Sequence, residues 1–411
     1  MNLRTITLGL PWREDGAAQL GREISEFFQK AREQFSAHGF PARTQRVALA
    51  PFSITGSRDR TNARKTIERM SALCSDAGIR WFCVPFHTIG QDLAEVNALA
   101  LEVVQQCKNA FVNYLVTGDG TIDRRGMAGA GTFIREVSLL SDNGFDNFRC
   151  GVSCNCKPNG AYFPFSYNGG ESGFALALEM VPLCVQVIQS TGGMSLEQIR
   201  DAIVARLVPL LQQIESIAKE IAGATGIKYF GIDASLAPHP EHPDHSVAHL
   251  IELLGVERCG SSGTTFATGF FTDIIRVLIK KSSIRSTGFN GVMFSVLEDP
   301  RLGAVSAEPG NMTIDSLLAY STMCGCGIDM VPVPGNISVA EIASLMLDVA
   351  AVALKLDKPL GIRLLPVPGK SAGEMTTFNH DFLHNTKVQN IRYHSCSALL
   401  SNAAAPFCYV S

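Results

Sequence analysis

QRVALAPFSITGSRDRTNARKTIERMSALCSDAGIRWFCVPF, residues 45–86, decides the fold class. QRVALAPF is a short, mostly apolar run that ends on Pro51 and reads as a strand. NARKTIERMSALCSDAG reads as a helix that stops at Gly78, and IRWFCVPF reads as a second strand. Strand, helix, strand in that order calls for parallel pairing, because parallel neighbours need a crossover connection.

The rhythm extends in both directions. RTITLGLPW (4–12) reads as a strand, and residues 17–38 carry Leu20, Ile24, Phe27, Phe28, Ala31 and Phe35 at helical spacing. A helix over 91–107 and the strand AFVNYLVT follow, then a turn and helix, then the strand FRCGVSCN. CKPNGAYFPFSYNGGESG (156–173) is a long loop rich in glycine, proline and aromatics, a length that usually marks function. Beyond it the pattern predicts helices over 173–190 and 195–224 and the strand KYFGIDASLAP. Next come a Gly/Ser/Thr turn leading into a helix to about Lys281, and the strand GVMFSVLED (291–299). The remaining predicted elements are a helix over 313–323, the strand GIDMVPVPG, a helix over 338–355 and the strand LGIRLLPVPG. These make one α/β domain over 1–385, with a tail over 386–411 that loses periodicity.

Composition narrows the function classes. Hydrophobic residues make up 46% and charged residues 18%, which suits a large core rather than disorder. Net charge is −3 with Lys and Arg scattered, so no nucleic-acid footprint is expected. FALALEMVPLCVQVIQ contains Glu179 and Gln186 and falls short of a membrane span. The N-terminus lacks a signal-peptide pattern, so a cytoplasmic location is expected. The twelve cysteines are spread along the whole chain and mostly sit in apolar contexts, as buried thiols do.

Seven stretches together carry a resemblance. LRTITLG, PNGAYFPFSY, GFALALE, GIDASLAP, GSSGTT, CGCGIDMVPVPG and IRLLPVPGK occur in this order. In order and spacing the chain resembles the family known as domain of unknown function 711, or uncharacterised protein family 0210. The resemblance implies a fold similar to pyruvate-formate-lyase-type glycyl radical enzymes. That would be one barrel of about ten strands, in two five-stranded halves, surrounded by helices. It implies no settled reaction and no named cofactor. It also makes Cys324 the family cysteine, with Cys326 an extra thiol. Ser262 stands where the family commonly has histidine. The last segment, HSCSALLSNAAAPFCYVS, has no glycine, so glycyl-radical chemistry is not expected.

Five clusters carry candidate chemistry. Gly325 and Gly327 flank the cysteines and let the backbone bring Cys324 to a ligand, with Asp329 following in the strand. GSSGTT offers hydroxyls of Ser261, Ser262, Thr264 and Thr265 at a helix start, suited to an anion or to plain capping. Asp233 ends a strand and precedes His239 and His242, a possible imidazole–carboxylate metal set; a solvated loop is the blander alternative. Glu179 stands in an apolar helix as an acid/base candidate, and Tyr162, Phe163, Phe165 and Tyr167 suit a pocket floor. Lys157 is placed to lower a neighbouring thiol pKa at Cys154 or Cys156. Arg363, alone among apolar residues, must bind an acidic substrate or satisfy Asp233, Asp329 or Glu179. The expected activity is that of an enzyme acting on a small anionic metabolite, with lyase, isomerase and transferase chemistry all open. A metal-dependent enzyme and a non-catalytic metabolite-binding protein are the alternatives, and a homodimer is expected from enzyme size and apolar balance.

Overall fold

The computed structural model describes residues 1–11, 17–190, 192–323, 326–391, 394–401 and 405–409. The strands in chain order begin with β1 Leu3–Leu10, β2 Ala42–Leu49, β3 Trp81–His87 and β4 Ala110–Leu115. The two-residue β5 Thr117–Gly118 and β6 Thr121–Ile122 come next, then β7 Cys150–Cys154, β8 Gly173–Leu178 and β9 Lys228–Asp233. The last three are β10 Gly327–Pro334, β11 Leu360–Val367 and β12 Phe407–Cys408. Nine of them form one sheet in the order β10-β11-β7-β4-β3-β2-β1-β8-β9, surrounded by helices. β7, β4, β3, β2 and β1 are mutually parallel. The flanking pairs β8–β9 and β10–β11 are each parallel internally and join the block antiparallel. The fold is mixed α/β with a mostly parallel sheet.

Alternation along the central strands assigns the two faces. Val47, Leu49, Phe82, Val84, Val112 and Tyr114 belong to the main core with the helices, such as Ser57–Asp76 and Leu93–Gln106. Ala48, Cys83 and Phe111 point the other way, into a second apolar cluster with Phe148, Phe163, Leu297, Met330, Leu365 and Val367. Two of the predicted helices start on reciprocal caps, Ser195 with Gln198 and Ser338 with Glu341.

The long loop fills this second face. Thr7 donates its hydroxyl to the Ala161 carbonyl at 2.9 Å, and the Cys83 thiol donates to the Pro164 carbonyl at 3.1 Å. Two glycines make room for it. A Cβ at Gly151 would lie 2.3 Å from Pro164, and one at Gly361 would lie 2.5 Å from the Phe165 ring.

Three predicted elements differ. Residues 173–178 form a strand rather than the start of a helix, and the helix begins at Val181. Every side chain of GFALAL is buried, so the run has no amphipathic period to separate strand from helix. The expected strand 291–299 is not regular. Leu236 bridges Val292 on one side, and Ser295 bridges Asp329 on the other, both parallel. Ser295 instead starts a turn, with its hydroxyl on Glu298 at 2.7 Å and its carbonyl accepting from the Glu298 amide. Among the described residues the regular ladder is therefore an open nine-stranded sheet. Finally, Asn155 has φ of 54°, which breaks the alternation expected to put Cys154 and Cys156 on one side.

Candidate functional site

A small cavity of about 60 Å³ lies against the inner face of the sheet. Arg4 of β1, Arg46 of β2, Trp81 of β3, Phe111 of β4, Asp329 of β10 and Arg363 of β11 all line it. The buried loop adds Tyr162, Phe163 and Phe165, and the irregular segment adds Met293, Ser295 and Glu298. Pro238 and Cys326 complete the polar part of the wall.

Arg363 is the most constrained charge. Its Nε donates to Asp329 Oδ1 at 2.5 Å and its Nη2 to Asp329 Oδ2 at 2.7 Å, a bidentate pair. The same Nη2 donates to Glu298 Oε2 at 2.6 Å. Burial would lower the guanidinium's proton affinity, but Asp329 and Glu298 outweigh it and hold Arg363 above its ordinary value. Burial alone would raise Glu298. The charges of Arg363 and Arg4 and the hydrogen bonds from Ser295 and Arg363 instead hold it below the usual carboxylate range.

Arg4 and Arg46 are differently placed. Arg4 is buried, and its Nη1 donates to the Pro238 carbonyl at 2.5 Å. Arg46 is partly buried and lies over the Phe163 ring at 5.2 Å. Among the described residues, neither has a carboxylate within ion-pair distance. The Nε of each is buried without a hydrogen-bond partner, and so is the Tyr162 hydroxyl. Desolvation, then the charges of Arg4 and Arg43, push Arg46 down to about 9. Burial raises the Tyr162 phenol, and Asp233 adds to it. Three guanidiniums thus meet two carboxylates in one small wall, with three donor groups left over.

The structure brings Arg363, Asp329, Tyr162, Phe163 and Phe165 together at this cavity, whereas Tyr167 donates its hydroxyl to the Cys156 carbonyl at 2.9 Å and Glu179, Asp233 and the GSSGTT hydroxyls do not line it. Glu179 directly follows β8 rather than standing in a helix. It takes Asn2 Nδ2 at 3.2 Å and lies 3.2 Å from Arg43 Nε and 3.8 Å from His239 Nε2. Asp233 accepts from the Ser235 amide and hydroxyl and from the amides of Phe289 and Asn290, and burial raises its pKa. Ser261 and Ser262 are exposed. Thr264 accepts from the Gly260 amide at 2.9 Å, and neither it nor Thr265 lines the cavity. Cys324 lies outside the described residues.

His239, His242 and His245 cluster with ring centroids 4.7 to 6.0 Å apart. Burial, then Arg43 and Arg4, push His239 down to about 3, so its ring is neutral. Among the described residues, no group of three His, Cys, Asp or Glu side chains is arranged to hold a metal ion. Burial pushes the Cys156 thiol up to about 12, and Lys157, which lowers it as expected, offsets only part of that.

Sequence reasoning missed Arg4, Arg46 and Glu298. A signal was present for Arg4, which precedes the buried run TITLGL, but Arg46 follows the polar stretch RTQ and only opens the apolar run VAL. Glu298 carried no such mark.

Fold and site together define a mixed α/β protein with a buried, arginine-rich cavity. The chain matches the family described as "Uncharacterised ACR (DUF711)" over residues 1–384, and it belongs to that family. It is 28% identical over 405 residues to a UPF0210 protein of Carboxydothermus hydrogenoformans, covering 92% of this chain and 88% of the relative. A UPF0210 protein of Pyrobaculum arsenaticum is 31% identical over 229 residues, 55% of this chain and 51% of the relative. One from Clostridium perfringens is 24% identical over 424 residues, covering 98% and 93%. No described helix is long and apolar enough to cross a membrane.

Proposed function

We propose that the protein is an enzyme that holds a small anionic metabolite in the cavity and transforms it without a glycyl radical. The carrying observation is the set of buried, unpartnered donors at Arg4 Nε, Arg46 Nε and the Tyr162 hydroxyl around one space. Unpaired buried donors cost free energy, and a bound anion removes that cost. In this reading Arg4, Arg46 and Tyr162 bind the anion, while Arg363 positions Asp329 and Glu298 for proton transfer. Cys324 supplies the reactive thiol, and lyase, isomerase and transferase chemistry all remain within its reach.

The reading includes a barrel like that of the glycyl radical enzymes, with residues 285–297 as an irregular tenth stave. Its support is the hydrogen bonding on both sides of that segment. Leu236 N donates to Gly291 O at 2.9 Å and Met293 N to Leu236 O at 2.9 Å, while Val296 N donates to Asp329 O at 3.1 Å. Strand direction agrees, because β8, β9, β10 and β11 with this segment make five staves opposed to the central five.

The test is native mass spectrometry of gently purified protein, with any released small molecule identified. The expected result is an anion bound by the wild type and lost from Arg46→Gln. An Arg46→Gln protein that retains the same molecule overturns the assignment.

A further inference from the structure

The cavity's size, charge and donor set say more about its occupant, and the argument rests on the anion reading above. The space open to the centres of water-sized groups is about 60 Å³, more than one water needs, which suits a small molecule. The walls do not readily enlarge. Trp81, Phe111, Phe148 and Phe163 pack edge to face, with centroids 5.2 Å apart for Trp81–Phe111, 5.3 Å for Phe111–Phe148 and 5.6 Å for Phe111–Phe163. Phe165 is wedged against Gly361, where not even a methyl group fits. Close-packed aromatic walls resist swelling, and forcing extra methylenes into them is unfavourable.

Charge sets a second limit. Arg4, Arg46 and Arg363 face Asp329 and Glu298, an excess of one positive charge. The neighbouring Arg43 is matched by Glu179 at 3.2 Å. One bound negative charge balances the wall, whereas a second would be buried uncompensated. The three unpartnered groups are two guanidinium Nε–H donors and a phenol. Two carboxylate oxygens, with about four lone-pair sites, have the acceptor capacity for all three. The aromatic remainder of the wall accepts a short hydrocarbon body.

We propose that the occupant is a short-chain monocarboxylate, bound by one negative charge against a close-packed aromatic wall. Its carboxylate lies between Arg4, Arg46 and Tyr162, and its carbon end faces the aromatic wall.

Isothermal titration of the full chain with acetate, propionate, butyrate, hexanoate, inorganic phosphate and propionamide tests this at pH 7.5. Binding is expected for the first three, and at least about tenfold weaker for hexanoate because the wall does not yield. Phosphate, mostly a dianion at that pH, is expected to bind more weakly than propionate, and propionamide not measurably. Arg46→Gln is expected to lose propionate binding. Equal affinities for hexanoate or phosphate and propionate overturn the size and charge inference while leaving an anion site standing. Binding of propionamide as tight as propionate, or of none of the anions, overturns both.

Discussion

Replacing Arg363 with methionine removes the one cation that Asp329 shares with Glu298. Met is apolar and of similar length, so the perturbation is mainly the loss of charge, of three hydrogen bonds to carboxylates at 2.5, 2.6 and 2.7 Å, and of a longer one to the Phe148 carbonyl at 3.5 Å. Arg363, Asp329 and Glu298 keep side-chain exposures of only 5%, 7% and 14%, so solvent does little to rescue the orphaned carboxylates. Breaking a buried pair from one side costs about 3–5 kcal/mol, and that is the expected loss at pH 7.5. The cost also depends on pH. In the wild type, Glu298 is held below its unfolded value, so its stabilisation is fully present above about pH 4.5 and is lost as pH falls through the folded pKa. At pH 5 the wild type therefore keeps that contribution. In Arg363→Met only burial and the remaining arginines act on Glu298, so it takes up a proton more readily. The gap between the two proteins should narrow between pH 7.5 and pH 5. Urea unfolding followed by tryptophan fluorescence measures it, since Trp81 stands in the cavity wall. Adding Asp329→Asn and Glu298→Gln to Arg363→Met should recover much of the loss, because no charge then stays buried. A gap that is constant with pH, or smaller than about 1 kcal/mol as for a surface pair, refutes the reasoning.

Gly361→Ala should cost about 1–3 kcal/mol and weaken carboxylate binding, because its methyl would strike the Phe165 ring; an unchanged melting temperature argues against the wedged loop. Arg46→Gln should stabilise the ligand-free protein at pH 7 by about 1 kcal/mol while abolishing its response to propionate. Burial and neighbouring cations lower Arg46 to about 9, so the wild type regains stability as pH rises through that value and the advantage of the variant shrinks; a variant less stable at pH 7 contradicts this. Alkylation with iodoacetamide at pH 7.5, mapped by peptide mass spectrometry in Cys408→Ser protein, should spare Cys74 and Cys184, which burial pushes up to about 12. Cys324 should react ahead of them, and its persistence unmodified under conditions that label those two removes it as the reactive thiol.

A cavity built this way relies on a sheet as a rigid frame. β1, β2, β10 and β11 each contribute one charged side chain to the space. Their spacing is set by backbone ladders rather than by flexible loops, which holds like charges closer than free arginines would settle. The repulsion among Arg4, Arg43 and Arg46 is a cost that a neighbouring negative charge would relieve.

The one-dimensional pattern determined the strand–helix alternation and parallel pairing, because amphipathic period and turn residues are local properties. It also marked Arg363 as a buried cation in need of a carboxylate, with Asp329 among the named partners. GFALAL was ambiguous because a strand buried on both faces has no period to read. Only the tertiary structure selected Glu298 as the second partner and gathered Arg4 and Arg46 opposite Arg363, more than 300 positions away in the chain. It also showed why residues 156–168 are long and aromatic: they fill the inner face, in space left by glycines on distant strands. Local sequence specifies which way a side chain points along its own strand. Which strands become neighbours, and so which charges share a cavity, depends on burying the whole apolar surface at once.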